Sequence, residues 1–251
     1  MKKFELISFV TADELASHVA GAWLDEMEKA RRAGKRHCVA LSGGRITQKF
    51  FAAVAAQAKT RKVGDGDAPS LPGNVHFFWA DERCVPPDDP ENNFQMAREL
   101  LFAPLKIAGN QVHRIRGEDS PKVAVKIAEE ELCRIAPLNP ARQPVLDLVF
   151  LGMGEDGHVA SLFPNAPLDV VKCDTPFLFI DNSPKPPPRR ISLSYAAIAA
   201  ARQVWVLISG VGKEKALRES LDLPGKTPLA RVIELRQNTL IFRQIEADKI
   251  I

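Results

Sequence analysis

Short apolar runs alternate with amphipathic stretches along almost the whole chain. Residues 75–80, 145–151 and 204–209 are apolar nearly throughout and are bounded by polar or glycine-rich segments. That is the pattern of strands buried on both faces. Shorter strand patterns fall at 36–41, 112–115, 177–180, 191–194 and 239–245. Between them lie helical patterns. Thr11-x-x-Glu14 is a capping box that opens a helix running to about Arg32, with Gly34 as its stop. Further helices are predicted over 46–59, from beyond Asn93 to about Phe102, over 121–135 behind Ser120 as N-cap, over 195–202 and over 212–221. Residues 61–73 and the proline-rich 182–190 read as loops. No internal repeat interrupts the rhythm.

Strand–helix alternation of this kind predicts an α/β fold: a three-layer α/β/α arrangement around a mostly parallel, Rossmann-like sheet. In such sheets ligands bind beyond the carboxyl ends of the strands, and the unusual loops of this chain all fall there. A length of 251 residues is taken as one domain spanning 1–251. The 45% apolar and 26% charged composition is that of a soluble globular protein. A net charge of +3 favours small anions without making a nucleic-acid footprint. Cys38, Cys84, Cys133 and Cys173 form no CxxC or Cys/His cluster, so neither a zinc site nor a disulfide framework is indicated. The opening Met1-Lys2-Lys3-Phe4-Glu5 lacks an apolar region long enough for a signal peptide, and there is no run of 18 apolar residues. A reduced, cytoplasmic monomer with no membrane or nucleic-acid partner is expected.

The chemistry concentrates at four loops. Gly152-Met153-Gly154-Glu155-Asp156-Gly157-His158 follows a buried strand and sets an acid and an imidazole in a glycine turn. A neutral His158 there can take a proton from water while a carboxylate stabilises the imidazolium. The other histidines, His18, His37, His76 and His113, are read as structural. Ser42-Gly43-Gly44-Arg45 lies between a strand and a helix, where backbone N–H groups favour an anion; it is neither a Walker A motif nor GxGxxG. Asp81-Glu82-Arg83 places charges at the end of the 75–80 strand, and a guanidinium such as that of Arg83 suits bidentate phosphate contact. The stiff loop 182–190 presents Lys185, Arg189 and Arg190, and Lys213 follows a second glycine turn at 210–212. Several cations and glycine turns around one His/Asp pair call for a phosphorylated metabolite. There is no GxSxG elbow and no metal-ligand cluster.

Taken together, Ser42-Gly43-Gly44, Trp79 to Pro86, Asn92-Asn93, Gly152 to Pro164, Ser183 to Ser194 and Gly210 to Lys213 resemble the 6-phosphogluconolactonase family over nearly the whole chain. Asp-Gly-His-x-Ala-Ser-Leu-Phe-Pro is the most specific string. The resemblance implies a fold shared with glucosamine-6-phosphate deaminases, ribose-5-phosphate isomerases and CoA-transferases. It also implies hydrolysis of 6-phospho-D-glucono-1,5-lactone in the oxidative pentose phosphate pathway without an obligatory cofactor. Carried over, His158 is the general base and Asp156 and Asp81 shape the site. Arg83, Lys185, Arg190 and Lys213, with the 42–44 turn, hold the phosphate and hydroxyls of the sugar. One position departs from the pattern: Arg45-Ile46-Thr47 stands where the family usually continues with small hydroxyl residues and proline, so Arg45 either adds a compensating charge toward phosphate or points outward and leaves weaker affinity, with activity expected to be retained. Two alternatives remain: a glucosamine-6-phosphate deaminase/isomerase, whose later acidic residue is here replaced by Ser161-Leu162-Phe163, and a catalytically weak sugar-phosphate-binding protein.

Overall fold

The computed structural model describes residues 3–61 and 71–245. Most of the predicted loop 61–73 lies outside them. Among the described residues, nine strands form two sheets. The larger has six strands: β1 (Glu5–Phe9), β2 (His37–Leu41), β3 (Val75–Trp79), β5 (Leu148–Gly152), β8 (Gln203–Ile208) and β9 (Leu240–Gln244). Their order is β1-β9-β8-β5-β2-β3, and every pair is parallel. The smaller sheet is antiparallel, β4 (Asp81–Arg83), β7 (Arg190–Leu193) and β6 (Phe177–Ile180).

Helices α1 (Ala12–Arg32) and α2 (Arg45–Arg61) pack on one face of the large sheet. Thr11 and Glu14 form the expected capping box, each side chain bonded to the other's backbone N–H. Trp23 of α1 and Phe50 of α2 meet Phe77 and Phe150 on alternate positions of β3 and β5, and Phe150 packs on Trp205 of β8. Period-2 strands facing period-3.6 helices give this aromatic layer, each ring pair adding about 0.5–1.5 kcal/mol beyond its area. The remaining helices are α3 (Asn93–Ala97), α4 (Pro121–Ile135), α5 (Leu168–Val171), α6 (Tyr195–Ala200), α7 (Glu214–Leu221) and α8 (Pro228–Glu234). No helix among the described residues is long and apolar enough to cross a membrane.

Several expectations need correction. Residues 112–115 form no strand; Val112 makes one bridge to Phe77. The 93–102 helix divides into α3 and one wide turn over Arg98–Phe102 with i→i+5 bonding. Asp81-Glu82-Arg83 is the strand β4, held by its pairing with β7. Ser120 occupies the N-cap position of α4 with no side-chain bond to it. The strand β1 and the helices α5 and α8 lie where no element was expected.

Strand order sets the location of the site. From β2 the chain crosses to β3 on one side, whereas from β5 it proceeds toward β8 on the other. Connections that leave neighbouring strands in opposite directions open a crevice at their carboxyl ends. There Ser42 Oγ donates to Phe150 O at 2.7 Å, closing the floor between β2 and β5. Ala80 joins the two sheets: its N–H donates to Leu41 O and its carbonyl accepts from Leu193 N–H, both at 2.7 Å.

Candidate active site

The crevice holds a cavity of about 140 Å³ lined by the Ser42–Ile46 turn, Asp81, Arg83, Gly152–Gly154, His158, Ala160, Arg190, Ser209 and Lys213. Nine of the eleven residues expected at the site therefore line one space. Asp156 and Lys185 stand behind it, Asp156 against His158 and Lys185 Nζ at 3.9 Å from Asp156 Oδ1.

The 152–158 turn fixes the imidazole. Gly154 N–H donates to His158 O and Gly157 N–H to Gly154 O, with Gly157 at φ +79°, a conformation glycine adopts without strain. A Cβ on Gly154 would lie 2.1 Å from the His158 ring, so the close approach requires glycine there. His158 Nδ1 bonds Asp156 Oδ1 at 2.5 Å, and the ring packs on Phe163 with centroids 4.6 Å apart. A carboxylate on Nδ1 selects the tautomer with its proton there, which leaves Nε2 as the lone-pair nitrogen. Nε2 has no partner among the described residues. Burial holds His158 below the ordinary histidine value despite the upward pull of Asp156. Burial works in the opposite sense on Asp156, but the His158 hydrogen bond and the Lys185 charge outweigh it, so that carboxyl sits below its usual range.

Asp81 is positioned from three directions. Its Oδ2 accepts from Ser161 Oγ at 2.7 Å, its carbonyl accepts from Asn93 Nδ2 at 2.9 Å, and its strand pairs with β7 at Ser192. Neither Ser161 nor Asn93 was expected to have a part in the site. Asn93 also fills the space over Gly43, where a Cβ would lie 1.9 Å from Asn93 Oδ1. Glu82 is wholly buried and accepts backbone N–H bonds from Arg83, Asn93 and Phe94 at 2.8–2.9 Å. Burial pushes its carboxyl up to about 7 against the pull of those bonds.

The cations divide by what they already hold. Arg190 donates through Nε to Pro187 O and through Nη2 to Lys185 O and Pro186 O. Arg83 Nη1 donates to the carbonyl and carboxylate of Glu91, while its buried Nε has no partner. Arg189 lies apart, paired with Asp181 and over the Phe179 ring. Arg45 and Lys213 make no side-chain hydrogen bond or ion pair among the described residues. Burial and the Arg45 charge hold Lys213 below the usual lysine value. They share the cavity with the first turn of α2, whose leading N–H groups have no intrahelical acceptor. No group of three or more His, Cys, Asp or Glu among the described residues is arranged to hold a metal ion.

A family model described as glucosamine-6-phosphate isomerases/6-phosphogluconolactonase matches residues 10–242. The chain belongs to this family. The 6-phosphogluconolactonase of Mycobacterium tuberculosis is 38% identical over 224 residues, covering 80% of this chain and 89% of that protein. The 6-phosphogluconolactonase of Haemophilus influenzae is 34% identical, covering 77% and 78%. The crystal structure of 6-phosphogluconolactonase from Thermotoga maritima, 29% identical, superposes with a TM-score of 0.78 over 96% of this chain and all of that one. A monomeric glucosamine-6-phosphate deaminase, 16% identical, superposes with 0.79 over 98% of this chain. The fold is therefore shared with that deaminase as well.

Because both Glu82 oxygens accept from N–H groups, Glu82→Gln turns an NH₂ toward one of those donors. Urea unfolding is expected to show a loss of about 1–3 kcal/mol; unchanged stability would mean that these bonds contribute nothing.

Proposed function

We propose that this chain hydrolyses 6-phospho-D-glucono-1,5-lactone to 6-phosphogluconate in the oxidative pentose phosphate pathway, with His158 as general base. The observation that carries this is the Asp156–His158 pair: Nδ1 is held at 2.5 Å by a carboxylate, and the ring lines the cavity with no partner for Nε2 among the described residues. A water between Nε2 and the lactone carbonyl carbon gives up a proton to Nε2 as its oxygen forms the new C–O bond. The tetrahedral intermediate collapses by breaking the bond from that carbon to the ring oxygen, which takes the proton back from the imidazolium. Asp156 stabilises the imidazolium between these two transfers, and Lys185 keeps Asp156 ionised. Asp81, held by Ser161, meets the reacting end of the sugar beside Arg190.

The phosphate belongs at the other end, between Arg45, Lys213 and the first turn of α2. Neither cation forms an ion pair among the described residues, and the one nearby acid that acts on Lys213, Glu155, does so without contact; Arg190, by contrast, is engaged with loop carbonyls, and Arg83 Nη1 with Glu91. A dianion there relieves their mutual repulsion and completes the helix N-terminus. Arg45 thus supplies by charge what a hydroxyl supplies elsewhere in the family.

His158→Ala is expected to fold normally and lower kcat for the freshly prepared lactone by about 10²–10⁴-fold; near-normal turnover would remove His158 from the chemistry. Ammonia release from glucosamine 6-phosphate by the wild type would favour the deaminase, and tight 6-phosphogluconate binding without acceleration a binding protein. The pH profile follows from the lowered His158 value, since the base works only when neutral. We expect kcat/KM to rise with pH along a limb below the ordinary histidine value of about 6.5 and to be flat at neutrality. A limb above 7 would contradict the assignment. Lys213→Ala is expected to raise KM about 10–100-fold, the loss of one charge-assisted bond, with a smaller change in kcat.

A further inference from the structure

Two of the four histidines read as structural form, with a glutamate, a relay at the opposite end of the large sheet. His76 is the second residue of β3, and His113 follows the turn Gly109–Gln111. His76 Nδ1 lies 3.0 Å from His113 Nε2, and His113 Nδ1 lies 3.2 Å from Glu131 Oε2 on α4. Glu131 Oε2 also accepts from Arg134 Nη2 at 2.6 Å. His113 is stacked on Phe78 with centroids 4.7 Å apart, and its side chain is only 7% exposed.

This order of contacts fixes every proton. The Glu131 carboxylate can only accept, so His113 carries its proton on Nδ1. His113 Nε2 must then accept, so His76 carries its proton on Nδ1. The His76 Nε2 lone pair is left over, with no partner among the described residues. The relay forms one wall of an open cavity of about 500 Å³, shared with Arg36, Arg134, Asn110 and Ile135. Arg36 and Ile135 also border a neighbouring hollow of about 600 Å³ whose wall combines Ala33, Ala136 and Pro137 with charged side chains of both signs, among them Glu26, Asp147 and Arg202.

We propose that this pocket is a second ligand site, separate from the His158 cavity, that takes a doubly charged oxyanion of the sulfate or phosphate-monoester type between Arg36, Arg134 and His76. Arg134 and Glu131 answer each other's charge, so the net positive charge left at the pocket is that of Arg36, whose Nη1 also donates to Ile135 O at 3.4 Å. A proton added to His76 Nε2 breaks none of the relay's bonds and turns a lone pair into a third donor beside two guanidinium groups. Without an occupant that proton is disfavoured: burial, then His113, then the Arg36 and Arg134 charges all hold His76 below the ordinary value. An oxyanion reverses the sign of the local field, so anion and proton bind together. The neighbouring hollow gives an organic body attached to the anion room to lie along Ile135. The pocket is remote from the reaction: the strand from His76 to Ala80 spans roughly 13 Å at about 3.3 Å per residue.

The test follows the His76 titration by NMR on the full chain, with sulfate as probe because it stays a dianion throughout the range. If the protonated form binds sulfate about tenfold more tightly, saturating sulfate raises the His76 midpoint by about one unit. The shift is expected to saturate, to exceed that from chloride at equal ionic strength, and to vanish in Arg36→Gln, a change at an exposed side chain. A shift equal to chloride's, or one that survives Arg36→Gln, overturns the proposal. The same titration with phenyl phosphate distinguishes the source: tighter binding than sulfate assigns an organic phosphate, and equal binding an inorganic anion. None of these readouts involves lactone turnover, so they stand or fall independently of the assignment of His158.

Discussion

A carboxylate with no access to water organises the wall of the active site opposite His158. Glu82 receives three backbone N–H groups, one from its neighbour Arg83 and two from the start of α3. Those bonds fix the distance between β4 and α3. From that fixed pair Asn93 reaches the Asp81 carbonyl and covers Gly43, so the Ser42–Gly44 turn, the Asp81 backbone and α3 are set by one buried group. Leaving such a group unsatisfied in an apolar interior costs far more than each bond contributes. That asymmetry makes the arrangement all-or-none rather than graded.

On this wall the cavity separates two electrical environments. At one end an imidazole is held neutral by burial and oriented by a carboxylate. At the other, Arg45 and Lys213 stand beside a helix N-terminus without an ion-pair partner among the described residues, Glu155 acting on Lys213 only at a distance. The protein keeps these ends apart by spending the hydrogen bonds of Arg190 and Arg83 on loop carbonyls and Glu91, so that those guanidinium groups shape the middle of the site without neutralising either end. A neutral imidazole and a pair of cations therefore share one small volume.

The parts of this arrangement legible in the sequence were those with strong local signatures. Glycine turns after apolar strands located the crevice, and Asp156 and His158 within one such turn announced a titrating pair. What escaped was set by partners distant in the chain. Three consecutive charges argue against a strand, yet 81–83 is one because β7 supplies its hydrogen bonds, a case of tertiary pairing overriding local preference. Nothing in the sequence marks Glu82 as buried, because a buried carboxylate and an exposed one are the same letter. The strand β1 is half exposed and paired only with β9, so its alternation is weak; α8 is short, although Thr227-Pro228 does carry a cap and a first-turn proline. His76 and His113 were individually unremarkable, and only their separation of 3.0 Å gives them a joint role.

Ala80 carries a further meaning for how the molecule comes into being. Its N–H belongs to the large sheet through Leu41 and its carbonyl to the small sheet through Leu193, more than a hundred residues downstream. Asp81 likewise waits for Ser161, 80 residues later. Such distant closures are entropically the most demanding part of building the chain. During synthesis from the amino end, β2 and β3 can pair while the cavity still lacks His158, β7 and Lys213. The growing polypeptide thus acquires a recognisable sheet long before it acquires a working pocket, and catalysis is among the last properties to emerge as it leaves the ribosome.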